Sequence, residues 1–285
     1  MDKVKDKGGS MKLHNKYVSA TFSEKAAEVT SFIANDSSVE YVWTGDEKYW
    51  ANRNPILFPV VSTSWGNEYE VDGKKYTLGK HGFARYALFT CTKQTDEEIE
   101  LMLTDDDDTL AQYPYHFKLI VTYRLEDKKL WLNYEVINTD DRPIPFQIGF
   151  HPAFNCPLNN DESFDEYRFS TEKKENAVST SGYMLEKEIS LKGNEFFKEK
   201  SAVFFNGLTS SYVDLTNSKH TIRVGIKNFN RVGFWHKSPD TPFVCIEPQH
   251  GHGFAKDNNG DVPKDNTIIL PIGQTYKTSY YWEII

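Results

Sequence analysis

The sequence predicts an all-β protein built from antiparallel strands, with very little helix. Apolar and polar residues alternate along several segments, turn-forming residues separate those segments, and helical periodicity is weak. Successive side chains of a strand point to opposite faces, so half-buried strands produce this period of two. Many short strands without long helices between them favour stacked sheets.

The clearest strands lie in the segments 98–103, 116–125 and 130–138. Every second residue is apolar in these segments, and β-branched and aromatic residues are frequent, as is typical of a pleated sheet. Further strands are expected near residues 17–22, 27–33, 39–43, 86–92, 144–150, 203–205, 211–215, 221–226, 231–235, 243–247 and 276–284.

Turn signals and one weak helical signal complete the secondary-structure prediction. Asp72-Gly73 separates the segments 69–71 and 75–77 and predicts a two-residue hairpin. The helical candidate covers residues 194–200, where Asn194 stands at a cap position. The polar stretch 159–200 is expected to form loops and edge strands, because its periodicity is weak.

We expect residues 11–285 to form one domain. No segment is rich enough in Pro, Gly and Ser to predict a linker, and no repeat of fixed period is present. The first ten residues, MDKVKDKGGS, are charged and lack the apolar segment of a signal peptide. They are expected to be an added extension or a disordered lead outside the domain.

The composition argues against several classes of protein. The chain has 33 Lys and Arg against 41 Asp and Glu, a net charge of −8, so no basic face for nucleic acid is expected. No apolar run approaches the ~20 residues of a membrane span. Three widely spaced cysteines fit neither a disulfide framework nor a zinc site, which favours a reducing cytoplasm. Motifs of serine hydrolases, P-loop NTPases and dinucleotide enzymes are missing.

Glu247 is the most informative single residue. It ends the segment 243–247, in which both alternating faces are apolar, so a central strand covered on both sides is predicted. An ionised carboxylate at such a position is costly without a partner, so its pKa is expected to shift, as suits a general base. A Glu that points to solvent is the alternative interpretation.

Two histidines and an arginine are further candidates. His151 follows an apolar run and precedes Pro152, which is expected to hold it at a strand end. Histidine is the side chain best matched to proton transfer near neutral pH, although a buried structural histidine gives the same pattern. His81 and Arg85, in the segment HGFAR, suit a donor pair for a polar ligand, and a surface turn is the alternative.

The sequence does not predict a metal site. His250 and His252 form a His-x-His pair, but a site needs a third ligand nearby, and the Gly-rich setting favours a loop. The acidic run 105–108 lacks the Gly and the distal Glu of an EF-hand. It is expected to be a solvated loop, and no cofactor is predicted.

Six segments in register carry a resemblance to a known family. Their order and spacing resemble those of the aldose 1-epimerase (galactose mutarotase-like) superfamily, and within it the branch of bacterial LacX-like proteins. The segments are 27–32 (AEVTSF), 40–50 (EYVWTGDEKYW), 55–59 (PILFP), 81–85 (HGFAR), 149–154 (GFHPAF) and 243–248 (FVCIEP). The ending 270–274 (LPIGQ), followed by an aromatic strand, is also similar.

The resemblance implies a β-supersandwich whose concave face holds a sugar. It implies an aldose 1-epimerase that interconverts the α and β anomers of a hexose without a cofactor, by acid–base opening and closure of the ring. By position, Glu247 matches the base and His151 the acid. His81 matches the histidine near the ring oxygen, and Arg85 is expected to bind hydroxyl groups or orient Glu247.

The sequence departs from the family pattern at two places. Many members carry a Gly-Arg pair after the proline-bounded strand, where this chain has Ser62-Thr63. The contact of that arginine with the sugar is expected to be either missing or replaced by one from Arg53 or Arg85. The substrate-binding aspartate has no clear equivalent, and Asp214 is the candidate.

The expected partner is a small sugar, a hexose with or without a phosphate group, and neither nucleic acid nor a membrane. A phosphate calls for two or more converging cations, and the scattered arginines reveal no such pair. Two alternatives to the enzyme stay open. One is a non-catalytic sugar-binding or sugar-sensing protein on the same fold. The other is a metal-dependent β-sandwich enzyme that uses His81, His250 and His252.

Overall fold

A computed structural model describes residues 11–63, 68–252 and 266–285. The predicted extension over residues 1–10 lies outside the described residues. β-strand is the main regular structure of the described chain, and the strands pair antiparallel. The predicted all-β class, with very little helix, is confirmed.

The strands are short and are numbered here in chain order. They are β1 (Met11–His14), β2 (Val18–Phe22), β3 (Val29–Ala34), β4 (Ile56–Leu57), β5 (Glu68–Val71), β6 (Lys74–Thr77), β7 (Thr90–Gln94), β8 (Glu98–Thr104), β9 (Phe117–Glu126), β10 (Lys129–Asn138), β11 (Ile144–Phe146), β12 (Ile148–Phe150), β13 (Ala153–Asn155), β14 (Arg168–Thr171), β15 (Ala177–Val178), β16 (Met184–Leu185), β17 (Glu188–Ser190), β18 (Ala202–Asn206), β19 (Tyr212–Thr216), β20 (Thr221–Gly225), β21 (Arg231–Trp235), β22 (Phe243–His250), β23 (Ile268–Leu270) and β24 (Thr275–Ile284).

Two large sheets dominate the part of the chain that the structure describes. The first has nine strands in the order β17-β14-β19-β20-β24-β10-β9-β8-β7. The second has six, with β18-β21-β22-β12-β4 in a row and β13 also paired to β22. Strands β1–β3 form a three-stranded sheet, and β11-β23, β15-β16 and β5-β6 form two-stranded ones. The last of these is the hairpin predicted at Asp72-Gly73.

The two large sheets stack on each other across an aromatic core. Tyr134 of β10 lies 4.0 Å, centroid to centroid, from Phe150 of β12. Phe150 lies 4.8 Å from Tyr280 of β24, and Phe154 of β13 lies 5.2 Å from Trp282 of β24. All five rings are buried, so stacking removes a large apolar area from water and stabilises the pair of sheets.

Helix is confined to single turns among the described residues. The α-helix α1 (Asp107–Leu110) begins in the acidic run that was expected to be a loop. Asp106 accepts a hydrogen bond from the Thr109 N–H, and the Thr109 hydroxyl accepts one from the Asp106 N–H. This capping box explains why a helical turn forms there. Short 3₁₀ helices lie at Ala84–Tyr86, Phe164–Glu166 and Lys192–Phe197.

One prediction of secondary structure was partly right and another was wrong. The helical candidate 194–200 overlaps the 3₁₀ helix Lys192–Phe197, but no α-helix forms there, because Gly193 and Asn194 have φ of 64° and 56°, in the left-handed region. The segment 39–43 makes isolated bridges instead of a strand. The Glu40 carboxylate accepts the N–H groups of Phe32 and Val42, so a side chain replaces part of the ladder.

No helix in the described ranges is long and apolar enough to cross a membrane. The feature that matters most for function is the six-stranded sheet, because its two faces differ. Val244 and Ile246 of β22 point into the main core, whereas Phe243 and Cys245 belong to a separate cluster with Trp43. Beyond this second cluster the sheet lines a cavity.

Candidate active site

Strand β22 carries a carboxylate and an amide on one face of the six-stranded sheet. Because side chains alternate, Glu247 and Gln249 continue the face of Phe243 and Cys245. Both polar residues are 2% exposed. The Gln249 Nε2 donates a hydrogen bond of 2.8 Å to Glu247 Oε2, which leaves Oε1 for another partner. The prediction of a central strand covered on both faces is confirmed.

His151 occupies the corner between β12 and β13. Both strands pair with β22, with Gly149 opposite Gln249 and Ala153 opposite Cys245. The same register places His151 opposite Glu247. The corner therefore explains how two residues nearly a hundred positions apart in sequence come together.

The imidazole and the carboxylate face each other directly. His151 Nε2 lies 3.3 Å from Glu247 Oε1, and the two side chains are 10% and 3% exposed. His151 Nδ1 is buried and has no hydrogen-bond partner among the described residues. The contact with Glu247 is therefore the polar side-chain contact that the described residues offer to the His151 ring.

A strained turn positions His81. His81 and Gly82 have φ of 67° and 69°, and a Cβ on Gly82 would lie 2.1 Å from the Phe58 carbonyl oxygen, so glycine is required there. The Ser62 N–H donates 3.0 Å to His81 Nδ1. An accepting Nδ1 places the ring proton on Nε2 in neutral His81, so this nitrogen is a donor.

These groups line one cavity of about 390 Å³, within the ~300–1,000 Å³ typical of small-molecule sites. Its polar and aromatic lining has one carboxylate, two histidines and three cationic side chains. The lining residues are Trp50, Ser62, Lys80, His81, Arg85, His151, Ser201, Ala202, Phe204, Arg231, Trp235, Glu247 and Gln249.

Burial dominates the electrostatics of the site. It raises the pKa of Glu247 to about 8, although Lys80, Arg231 and the Gln249 hydrogen bond act in the opposite direction. Burial, reinforced by the charges of His81 and Arg85, holds the pKa of His151 well below its usual value. Burial also lowers the pKa of His81 to about 3, with Arg85 and Lys80 contributing.

The structure brings together four of the six candidate residues from the sequence: His81, Arg85, His151 and Glu247. Arg53 does not line the cavity, and its Nη1 lies 3.7 Å from Glu28 Oε2. Of the two arginines expected to replace the family's missing one, only Arg85 is therefore in place.

Asp214 is also separated from the cavity. It lies on β19 of the nine-stranded sheet, where its neighbours Val213 and Leu215 point into the core. Alternation therefore turns Asp214 to the other face, where it accepts hydrogen bonds from Arg223 Nε at 2.8 Å and Nη2 at 3.1 Å.

Sequence reasoning missed several lining residues. Gln249 shares a strand face with Glu247. Strict alternation along β22 would have predicted that its side chain points into the same cavity. Lys80 adjoins the HGFAR segment. Arg231 enters from β21 because it pairs with Gln249 across the sheet, a register that the local sequence does not reveal. Trp50 and Trp235 lie beside His151, with ring centroids 5.0 and 5.1 Å from it.

The histidines of the metal hypothesis do not form a ligand cluster. His250 packs on Phe229, with ring centroids 4.9 Å apart, and His252 Nε2 lies 2.9 Å from the Asn266 amide nitrogen. Over the described ranges, no group of three or more His, Cys, Asp or Glu side chains is arranged to hold a metal ion. The hypothesis that His81, His250 and His252 share a metal is therefore not supported.

Comparison with known proteins agrees with this geometry. A sequence model of the family described as aldose 1-epimerase matches residues 10–269. The chain belongs to this family. A curated relative, the chromosomal protein LacX of Lactococcus lactis subsp. lactis, is 28% identical over 95% of the chain and 98% of the relative. The resemblance stated from the six segments is confirmed.

Solved structures share the fold. A galactose mutarotase related enzyme from Lactobacillus acidophilus superimposes with a TM-score of 0.90 at 27% identity and covers 97% of each chain. A galactose mutarotase-like protein from Lactobacillus casei gives a TM-score of 0.87 at 27% identity, over 97% of this chain and all of that one. The fold is therefore the galactose mutarotase-like β-supersandwich.

Proposed function

We propose that this protein is an aldose 1-epimerase that interconverts the α and β anomers of a hexose. The observation that carries the proposal is the buried His151–Glu247 pair, 3.3 Å apart, on the wall of a cavity of monosaccharide size. Anomer exchange needs one base, one acid and a small binding site, and these residues supply all three.

The proposed reaction begins with Glu247 ionised and His151 protonated. Glu247 takes the proton from the hydroxyl on C1 while His151 gives a proton to the ring oxygen O5, and the C1–O5 bond breaks. The aldehyde end rotates about the C1–C2 bond. The reverse transfers then close the ring on the other face of C1, so each residue recovers its initial protonation state.

The shifted pKa values suit this exchange. A raised pKa for Glu247 and a lowered one for His151 mean that the pair holds one proton over a wide pH range around neutrality. The reaction uses one proton per pair, so the pair already carries the required number of protons before the sugar binds. In the free protein these shifts place that proton on Glu247, so it must move to His151 before the exchange begins.

The cavity walls also suit a sugar. The rings of Trp50 and Trp235 offer apolar surfaces on which the C–H face of a pyranose can pack. His81 and Arg85 supply hydrogen-bond donors for hydroxyl groups or for the ring oxygen. General acid–base assistance contributes about 10²–10⁴-fold, which is sufficient for a reaction that already proceeds slowly in water.

Two-dimensional NMR exchange spectroscopy on a panel of aldoses tests the proposal. We expect the protein to accelerate exchange between the α and β C1 signals of at least one hexose above the rate in buffer. Saturable binding of a sugar with no acceleration for any aldose of the panel would contradict the enzyme and favour a sugar-binding protein.

A further inference from the structure

The arginines of this protein divide into two groups. All seven lie in the described residues, and the five outside the cavity each pair with a carboxylate. The pairs are Arg53–Glu28, Arg124–Glu98, Arg142–Asp72, Arg168–Glu188 and Arg223–Asp214. Arg85 and Arg231, which line the cavity, have no ion pair with any residue in the described ranges.

The two cavity arginines are held by aromatic rings instead. The Arg231 guanidinium carbon lies 4.0 Å from the centroid of Phe204, and that of Arg85 lies 5.0 Å from Tyr86. Stacking on a ring uses the face of the guanidinium and leaves its edge N–H groups free. The Nε of each is buried and has no hydrogen-bond partner within the described chain. Arg53 Nε is likewise buried without a hydrogen-bond partner, so the missing ion pair, and not this atom, sets the two cavity arginines apart.

A third cation lies at the same cavity. Lys80 is exposed, makes no ion pair with a described residue, and interacts electrostatically with Glu247, His81 and His151. Glu247 is the single acidic residue of the described lining, and its carboxylate already contacts His151. The cavity therefore carries an excess of positive charge although the whole chain has a net charge of −8.

We propose that the natural substrate is an anionic monosaccharide whose phosphate or carboxylate group is bound by Lys80, Arg85 and Arg231. This inference rests on the proposed anomer exchange. Ring opening requires a free hydroxyl on C1, so the anionic group lies elsewhere on the sugar. With a neutral hexose bound, the three cations would face a single carboxylate in the cavity lining, that of Glu247.

The number of cations favours phosphate over carboxylate. A phosphate monoester carries a charge of about −1.5 to −2 at neutral pH and offers three acceptor oxygens. One carboxylate balances one cation, whereas a phosphate can accept from two arginine edges and an ammonium group together. Phosphate therefore matches three unpaired cations better.

The test compares exchange of neutral and anionic sugars by the same NMR method. Glucose and galactose are the neutral probes, and glucose 6-phosphate, galactose 6-phosphate and glucuronate are the anionic ones. We expect kcat/KM for a 6-phosphate to exceed that of its parent sugar at least tenfold. Preference for the 6-phosphates over glucuronate supports phosphate as the anion, and the reverse order supports carboxylate.

Variants that remove one positive charge test which residues bind the anionic group. Arg231→Gln and Lys80→Gln are each expected to reduce the ratio of kcat/KM for the 6-phosphate to that for the parent sugar by about tenfold, as charge-assisted hydrogen bonds imply. Arg168→Gln is the matched control, because Arg168 is a partly exposed arginine paired with Glu188. Its ratio should equal that of the wild type.

The outcomes separate this inference from the proposed function. Equal kcat/KM for neutral and anionic sugars would overturn the anionic substrate and leave the epimerase intact. If no sugar is exchanged, the epimerase fails, and calorimetry with galactose and galactose 6-phosphate decides the remaining question. Tighter binding of the 6-phosphate would support the anion site, and equal binding would refute it.

Discussion

Two pairs, each of a buried glutamate and a histidine, have nearly the same separation and very different surroundings in this protein. His151 Nε2 lies 3.3 Å from Glu247 Oε1, and His220 Nε2 lies 3.2 Å from Glu162 Oε1. The side chains of both glutamates are almost fully buried, at 3% and 0% exposure. Separation and burial alone therefore do not distinguish them.

In the second pair, each member is bonded to a residue outside the pair, and Glu162 Oε1, which faces His220, has no hydrogen-bond partner within the described chain. Glu162 accepts a hydrogen bond from the Tyr167 hydroxyl, and Lys219 Nζ lies 3.9 Å from its other oxygen. The Asn159 amide nitrogen lies 3.0 Å from His220 Nε2 and can only donate, so the lone pair of that nitrogen is in use. Glu162 does not line the cavity of about 480 Å³ that His220 borders.

The first pair differs because both of its members line one cavity. His151 Nδ1 has no partner among the described residues, and Glu247 receives one hydrogen bond besides its contact with His151. The comparison teaches that a candidate acid–base site is recognised when the carboxylate and the imidazole open onto the same cavity, and not by the distance between them.

The largest expected effect on anomer exchange is that of replacing Glu247, and the matched replacement of Glu162 in the second pair is its control. Glu247→Gln should reduce anomer exchange about 10²–10⁴-fold, because the amide cannot take a proton from the C1 hydroxyl. Glu162→Gln should leave kcat/KM unchanged and destabilise the fold by about 1–3 kcal/mol. NMR exchange rates and urea unfolding measure both. Equal losses of anomer exchange in the two variants would contradict the claim that only the His151–Glu247 pair takes part in the reaction.

Next in size is the loss of the acid. His151→Asn should reduce exchange about 10²–10³-fold, and the double variant with Glu247→Gln should be little worse than the poorer single variant. The reason is that the two residues transfer protons in the same step. Additive losses in a double-mutant cycle would indicate that they act independently.

The pH dependence sharpens the comparison further. The exchange needs one proton on the pair, and this proton is lost as pH rises through the pKa of about 8 assigned to Glu247. We expect kcat/KM to be constant near neutral pH and to fall about tenfold per pH unit above about pH 8. Base-catalysed exchange in buffer must be subtracted, with Glu247→Gln protein as the blank. A catalysed rate that keeps rising to pH 10 would contradict this.

A smaller effect is expected at Gln249, which we interpret as a positioning residue. Its hydrogen bond favours the ionised form of Glu247, so Gln249→Met should raise the pKa of Glu247 and move the alkaline limb above about pH 8. The loss of kcat at neutral pH should be about threefold to tenfold. A drop in thermal stability with an unshifted pH profile would reduce Gln249 to a packing role.

Local sequence patterns predicted the strands and the core of the site. Alternation along β22 indicated a strand covered on both faces, and Glu247 stood out as a carboxylate in it. Pro152 marked the corner that holds His151. The same alternation contained a signal against Asp214, since Val213 and Leu215 on either side of it are the core residues.

Long-range register could not be predicted from the sequence. Nothing near Arg231 distinguishes it from Arg53, and the pairing of β21 with β22 alone places Arg231 beside Gln249. The positive charge of the cavity likewise depends on three segments that meet only in the folded chain. The proposed anionic substrate class was therefore hidden in the sequence, although the proposed acid and base were visible in it.

The most direct test of the central claim is a crystal structure of the Glu247→Gln variant with a bound aldose. The account predicts that the C1 hydroxyl oxygen lies within about 2.6–3.2 Å of the residue 247 side chain and that O5 lies within the same distance of His151 Nε2. A sugar bound elsewhere, or bound in the cavity with C1 turned away from both residues, would contradict it.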